Sequence, residues 1–144
     1  MDSPSLLVDQ VRDEILRARG RVYQFGSPTP MERLELSGPA PEVWVKREDI
    51  SPIKCYKWRG SGNLMASLDA VATQRGVVTA SAGNHAQGVA LAAARLGIRA
   101  RIYMPRSTPK VKVDAVSRLG GDWIEVRQAG DSYDEAMRAA MADQ

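Results

Sequence analysis

The sequence predicts an α/β fold, a parallel sheet with helices on both faces, and three features predict it. Short apolar runs alternate with longer segments of helical periodicity between Gly76 and Met141. Glycine or proline punctuates the junctions, at Gly97, Pro105 and Gly120-Gly121. The connections are short, and strand–helix–strand units joined this way close by right-handed crossovers onto one parallel sheet.

Each element follows from local pattern. Ser3-Pro4 reads as a cap with proline at the first helical position, and Leu7, Val11, Ile15 and Ala18 recur at helical spacing until Gly20 offers a stop. Pro28, Pro30, Pro39 and Pro41 make the next stretch a loop, unsuited to helix or central strand. Val43-Trp44-Val45-Lys46 alternates as a short strand does. Residues 49–57, with Pro52, read as a loop, and a helix is expected over 57–72 with Leu64, Leu68 and Val71 inward. Strands are expected over 76–80, 100–104 and 123–126. Helices are expected over 84–96, 109–119 and 131–141, the last with Tyr133, Met137 and Met141 on one stripe. No internal repeat or low-complexity segment is present.

Composition narrows the function classes. At 144 residues, 44% hydrophobic and 26% charged, the chain has the make-up of a globular domain. The net charge of +3 is spread, with cations interleaved among acids as in Lys46-Arg47-Glu48-Asp49, so no nucleic-acid-binding patch is expected. The single cysteine, Cys55, excludes an intrachain disulfide and a multi-cysteine metal site, and suits a reducing compartment. No apolar run approaches the ~20 residues of a membrane span. No signal-peptide pattern is present, so a cytoplasmic protein without metal or membrane partner is expected.

Two segments carry chemistry. Ser81-Ala82-Gly83-Asn84-His85-Ala86-Gln87-Gly88 lies where a strand gives way to a helix. In a parallel sheet that is where ligands bind, and the helix start presents free N–H groups to an anion such as a carboxylate or phosphate. The loop matches neither common nucleotide fingerprint: G-x-G-x-x-G is absent, and Val89-Ala90 stand where a P-loop needs Lys and Ser/Thr. A tight turn with Asn84 as helix cap is the alternative. His85 has no metal-ligand or triad partner in the sequence, which favours a structural role over that of a base. The second segment is Ile53-Lys54-Cys55-Tyr56-Lys57-Trp58-Arg59-Gly60. Aromatic walls and a neighbouring cation lower a lysine pKa and activate its amine, which suits Lys57; a solvated lysine at a helix start is the alternative, and Lys54 stays open on the same evidence.

Taken together, these segments resemble a known family. Lys-Arg-Glu-Asp, a proline, aromatic-Lys-x-Arg-Gly and then Ser-Ala-Gly-Asn-His-Ala-Gln-Gly are similar to the threonine dehydratase family. That family belongs to the pyridoxal-phosphate (PLP) enzymes of fold-type II. The resemblance continues through Ala94-Arg95-Leu96-Gly97, Tyr103-Met104-Pro105, Lys112-Val113-Asp114-Ala115-Val116 and Leu119-Gly120-Gly121. It implies that Lys57 binds pyridoxal 5'-phosphate covalently, that Asn84 hydrogen-bonds the ring oxygen of the cofactor, and that Ser81, Ala82, Gly83, Asn84 and His85 receive the substrate carboxylate. The implied reaction is β-elimination, converting L-threonine or L-serine to a 2-keto acid and ammonia.

The family pattern is not matched throughout. Cys55-Tyr56 stands where Ser-Phe is usual, and Ser61 where alanine is usual. Ala82 occupies the place of the second serine that the racemase relatives use as a proton donor, which points to elimination. The resemblance also implies a division, with 1–50 as the first segment of the large domain and 51–144 as the small domain. The remainder of the large domain, with the glycine run that cradles the phosphate, is absent from the 144 residues. The expected partners are therefore an amino-acid substrate and the missing C-terminal half, with a homo-oligomer when complete. The isolated chain is expected to bind PLP weakly and not to turn over; a non-catalytic amino-acid-binding or partner-binding module is the alternative.

Overall fold

The structure, a computed structural model, describes residues 4–38 and 41–143. Ser3 and Pro39, named above as cap and loop residue, lie outside the described residues. The chain opens with α1 (Pro4–Val22), which runs two residues past Gly20 and carries Arg19 and Arg21 in its last turn, where cations suit the helix dipole. Its apolar stripe of Leu7, Val11 and Ile15 is exposed.

The proline-rich stretch is not wholly a loop. Met31–Leu34 forms β1, which pairs antiparallel with β2 (Val43–Lys46), Met31 opposite Lys46 and Leu34 opposite Val43. The four residues of β1 fall between the prolines, so every ladder N–H is available, and a two-stranded pair needs no central strand.

The single helix expected over 57–72 is two. α2 (Lys57–Ala66) ends at Ser67, whose hydroxyl bonds back to the Leu64 carbonyl at 2.8 Å. α3 (Ala70–Arg75) starts afresh because the Asp69 carboxylate accepts from the Ala72 N–H at 2.8 Å. Ser and Asp each offer the backbone a local partner that competes with continued helix. Of the expected inner face only Leu68 packs against the core; Leu64 is 64% and Val71 58% exposed. The buried face of α2 is Trp58, Ser61, Gly62 and Met65 instead.

From there the alternation reads as expected. β3 (Val77–Ala80), α4 (Asn84–Leu96), β4 (Ala100–Met104), α5 (Lys110–Gly120), β5 (Ile124–Gln128) and α6 (Tyr133–Met141) follow in order. The three strands form one parallel sheet in the order β3-β4-β5, with Val77 beside Ala100 and Ala100 beside Ile124. Gly97 closes α4 in the left-handed conformation (φ 66°), which a side chain would strain. Trp123 lies in a short 3-10 turn before β5 rather than in the strand.

Helices cover both faces of the sheet. On one, Val89, Ala90 and Ala93 of α4, Val116 of α5 and Ile102 and Met104 of β4 join Phe25, Trp58 and Met65 in the main core. On the other, Ala136 and Ala140 of α6 pack on Ala80 and Tyr103. These alanines, rather than the expected stripe of Tyr133, Met137 and Met141, are the buried face; Tyr133 and Met141 are exposed. Small residues there let α6 lie close to the sheet. A capping box at its start, Ser132 with Glu135, fixes where it begins.

Candidate active site

Two helix starts define the site. β3 ends at Ala80, and the chain crosses 81–83 before α4 begins at Asn84, so the loop lies at the carboxyl end of the sheet. The N-cap position falls on Gly83 rather than Asn84, and Ser81 supplies the capping hydroxyl: its Oγ accepts from the N–H groups of Gly83 and Ala86, each at 3.3 Å. The Ser81 N–H bonds to the Tyr103 carbonyl at 3.0 Å, which anchors the loop to β4.

That division of labour leaves donors free. Among the described residues, the backbone N–H groups of Ala82, Asn84 and His85 have no protein acceptor, and the Asn84 side chain has no hydrogen-bond partner. No acidic residue occupies the first turn of α4. Free donors on a positive helix end are the arrangement an anion needs. Asn84 is exposed, while Ser81, Ala82, Gly83 and His85 are half-buried.

Lys57 is the first residue of α2 and is exposed, as is Tyr56 before it. It lines a cleft of about 280 Å³ together with Tyr56, Gly60, Ser61, Leu64 and His85. His85 reaches the same cleft from α4, and burial followed by the Lys57 charge holds its imidazole below the usual range. A neutral histidine is thus favoured beside the lysine. Lys54, the rival lysine, is exposed in a turn and adopts a left-handed conformation (φ 54°) that non-glycine residues seldom take. In the same turn Ser51, buried, accepts from the Cys55 N–H at 3.0 Å, and Cys55 packs against the main core.

What joins the two helix starts is a residue that sequence reasoning did not assign to the site. A methyl placed on Gly88 of α4 would lie 2.5 Å from Ser61 Oγ and 3.2 Å from the Lys57 carbonyl oxygen. Ser61 is buried and bonds to that same carbonyl at 3.1 Å. Gly88 therefore sets the spacing between the backbone of Lys57 and the helix that begins at Asn84. The signal was present, because a glycine inside an alanine-rich helix costs stability without a packing reason. Gly88→Ala is expected to destabilise by about 1–3 kcal/mol through overpacking, measured as a fall in urea midpoint; no change would contradict the close approach.

The described residues fit the reactive end of PLP. An exposed amine, an uncommitted amide and an anion-ready helix start share one end of the fold.

Comparison with known proteins agrees with that chemistry. A family profile described as "Pyridoxal-phosphate dependent enzyme" matches residues 22–144. The L-threonine dehydratase biosynthetic IlvA of Burkholderia multivorans is 49% identical over 126 residues, 84% of this chain and 24% of that protein. The enzyme of the same name from Escherichia coli is 47% identical over 132 residues, 89% of this chain and 25% of that protein. The chain thus spans about a quarter of the length of these curated relatives. Among solved structures, the processed form of threonine deaminase isoform 2 from Solanum lycopersicum superposes with a TM-score of 0.83 at 41% identity, covering 93% of this chain and 37% of that one. A serine racemase from Dictyostelium discoideum superposes at 0.78 with 27% identity, covering 91% of this chain and 42% of that one. With the family profile reaching from the end of α1 to the last residue, and across both helix starts, the chain belongs to the pyridoxal-phosphate dependent enzymes and is similar within them to the biosynthetic threonine dehydratases.

Proposed function

We propose that the chain is the lysine-bearing part of an enzyme that eliminates the β-hydroxyl of L-threonine, and of L-serine, to yield a 2-keto acid and ammonia. The observation that carries the reading is the pairing of Lys57 with the α4 start across Gly88. Bound there, PLP supplies an electron sink for charge developing at the substrate Cα.

The chain's own groups then have distinct tasks. The Lys57 amine would hold the cofactor, and its Nζ would take the Cα proton of the substrate. The Asn84 amide, not spent on capping, is available to the ring oxygen of the cofactor. The substrate carboxylate is received by the N–H groups of Ala82, Asn84 and His85, with the Ser81 hydroxyl proton and the Gly83 backbone beside them. His85, held neutral beside Lys57, adds no second positive charge to the cleft.

In this reading 1–50 is the first segment of the large domain and 51–144 the small one. The phosphate-holding glycines come from a complementary segment, which also covers the exposed stripe of α1. The whole enzyme is a cytoplasmic homo-oligomer without nucleic-acid partner. The lone Cys55, and the lack among described residues of a helix long and apolar enough to cross a membrane, accord with that location.

The test is product analysis with the full-length protein. L-threonine should give 2-oxobutanoate and ammonia, and L-serine pyruvate without D-serine, since Ala82 offers no hydroxyl on the loop. Amino-acid binding without turnover would favour the non-catalytic module, and D-serine formation would contradict the elimination reading.

A further inference from the structure

The first turn of α2 carries Lys57 but has no side-chain cap of its own: Tyr56, at its N-cap, makes no capping bond. Gly88 and Ser61 hold it from the α4 side. On another side lies a small polar cluster built from three separate stretches of chain. Glu48 Oε1 accepts from Thr29 Oγ1 at 2.6 Å and from Arg59 Nη2 at 2.8 Å. Thr29 is buried, and the Glu48 and Arg59 side chains are only 18% and 24% exposed. The Arg59 guanidinium lies 4.5 Å from the Trp58 ring centroid and 5.7 Å from that of Tyr23.

The cluster is anchored behind as well as in front. The Lys46 ammonium donates to the Thr29 carbonyl, and the Arg47 N–H donates to the Pro30 carbonyl at 3.1 Å. Glu48 itself sits in a short 3-10 turn, Glu48–Ile50, that follows β2 directly. The two-stranded sheet is thus followed by a carboxylate that grips the second residue after Lys57.

We propose that Glu48 is a positioning residue for Lys57, acting through Arg59: by fixing Arg59 over Trp58 it sets the direction in which the first turn of α2 presents the lysine amine. The proposal rests on Lys57 being the cofactor-binding lysine. Burial pushes the Glu48 carboxyl up, but the Thr29 and Arg59 bonds and the Arg59 charge outweigh it, and its pKa stays below the usual range. The carboxylate is therefore ionised while it holds Arg59, and a charge-assisted bond is the stronger, more directional kind. Its second oxygen, Oε2, and the Trp58 indole N–H are both buried outside hydrogen-bond geometry, yet the indole also helps to hold the Glu48 carboxyl down, so the carboxylate engages Trp58 as well as Arg59. A mechanical role of this kind costs rate through misplacement, since a shift of about 1 Å at a reacting group can cost on the order of 100-fold.

The experiment compares wild type, Glu48→Gln, Glu48→Ala and Thr29→Val in the full-length protein loaded with PLP. The readouts are the dissociation constant for PLP, kcat and KM for L-threonine, and the unfolding midpoint of the apo-protein. Glu48→Ala is expected to weaken PLP binding and lower kcat, each by about 10-fold or more, with KM within about 2-fold. Glu48→Gln keeps an oxygen for Thr29 and Arg59 but loses the charge, and should restore only part of the loss. Should Glu48→Ala fail to fold, Thr29→Val, which at nearly constant volume removes the Thr29 bonds to Glu48 and to Arg59, carries the test with an expected loss of about 3-fold in kcat. Variants that lower the unfolding midpoint while keeping wild-type kcat and PLP affinity would overturn the proposal in favour of a purely structural role. Absence of PLP attachment at Lys57 in the wild type would overturn the Lys57 reading and this inference with it; attachment in the wild type with unchanged variants overturns this inference alone.

Discussion

Lys57→Ala is expected to lower keto-acid formation from L-threonine by on the order of 1,000-fold or more, whereas Lys54→Ala stays within about 2-fold of wild type. The two lysines are only three residues apart, so the contrast is a strict one. Lys57 is assigned two tasks, holding the cofactor and moving the Cα proton, and alanine removes both. Lys54 sits in a strained turn outside the cleft that Lys57 shares with His85. Moreover, Lys54→Ala keeps the left-handed strain, so any loss it shows would come from chemistry rather than from a relaxed turn. The check is a coupled assay for 2-oxobutanoate at saturating threonine and PLP. Equal losses in the two variants would contradict the assignment.

The largest effect on stability is expected from Trp58→Ala, about 3–5 kcal/mol. Trp58 is fully buried and packs in the main core with Phe25 and Ile53. It also stacks beneath Arg59 and lies tilted against Tyr23, the ring centroids 6.4 Å apart. Its neighbours have little freedom to collapse into the space, because a methyl on Gly26 would already lie 3.2 Å from the indole edge and one on Gly62 2.5 Å from Phe25. A cavity that cannot close costs the most. Trp58→Phe should cost clearly less, since it keeps a ring in the core. Urea unfolding of the apo-protein at constant m-value measures both, and a Trp58→Ala loss below about 1 kcal/mol would contradict the packing described.

How much of this could be read from residues alone depended on what each element needs. β4 and α4 were legible to the residue, because an apolar run between Gly97 and Pro105, and an alanine-rich helix stopped by glycine, are determined by their own sequence. The break between α2 and α3 was not. It turns on Ser67 and Asp69 bonding locally instead of extending a helix that periodicity alone would continue, and the apolar Leu64 and Val71 then face outward. β1 was hidden because its four residues become a strand only by pairing with β2 some ten residues on. For the site, the type of residue at 57 and 84 was visible in the motif. The spacing role of Gly88 and the grip of Glu48 on Arg59 were not, since each depends on separate elements meeting in space, and the capping by Ser81 was masked by Asn84, the usual capping type at the helix start. The Lys-Arg-Glu-Asp stretch was legible only as a motif without assigned roles, whereas Lys46, an exposed residue, and Glu48 both bond to Thr29.

The most direct test of the account is to load the full-length protein with PLP, reduce it with borohydride and map the modified peptide by mass spectrometry. Reduction fixes the cofactor to whichever amine held it. The account predicts stoichiometric label on Lys57, lost in Lys57→Ala and kept in Lys54→Ala. Label on Lys54, or label spread over surface lysines at the same extent in the Lys57 variant, would contradict it.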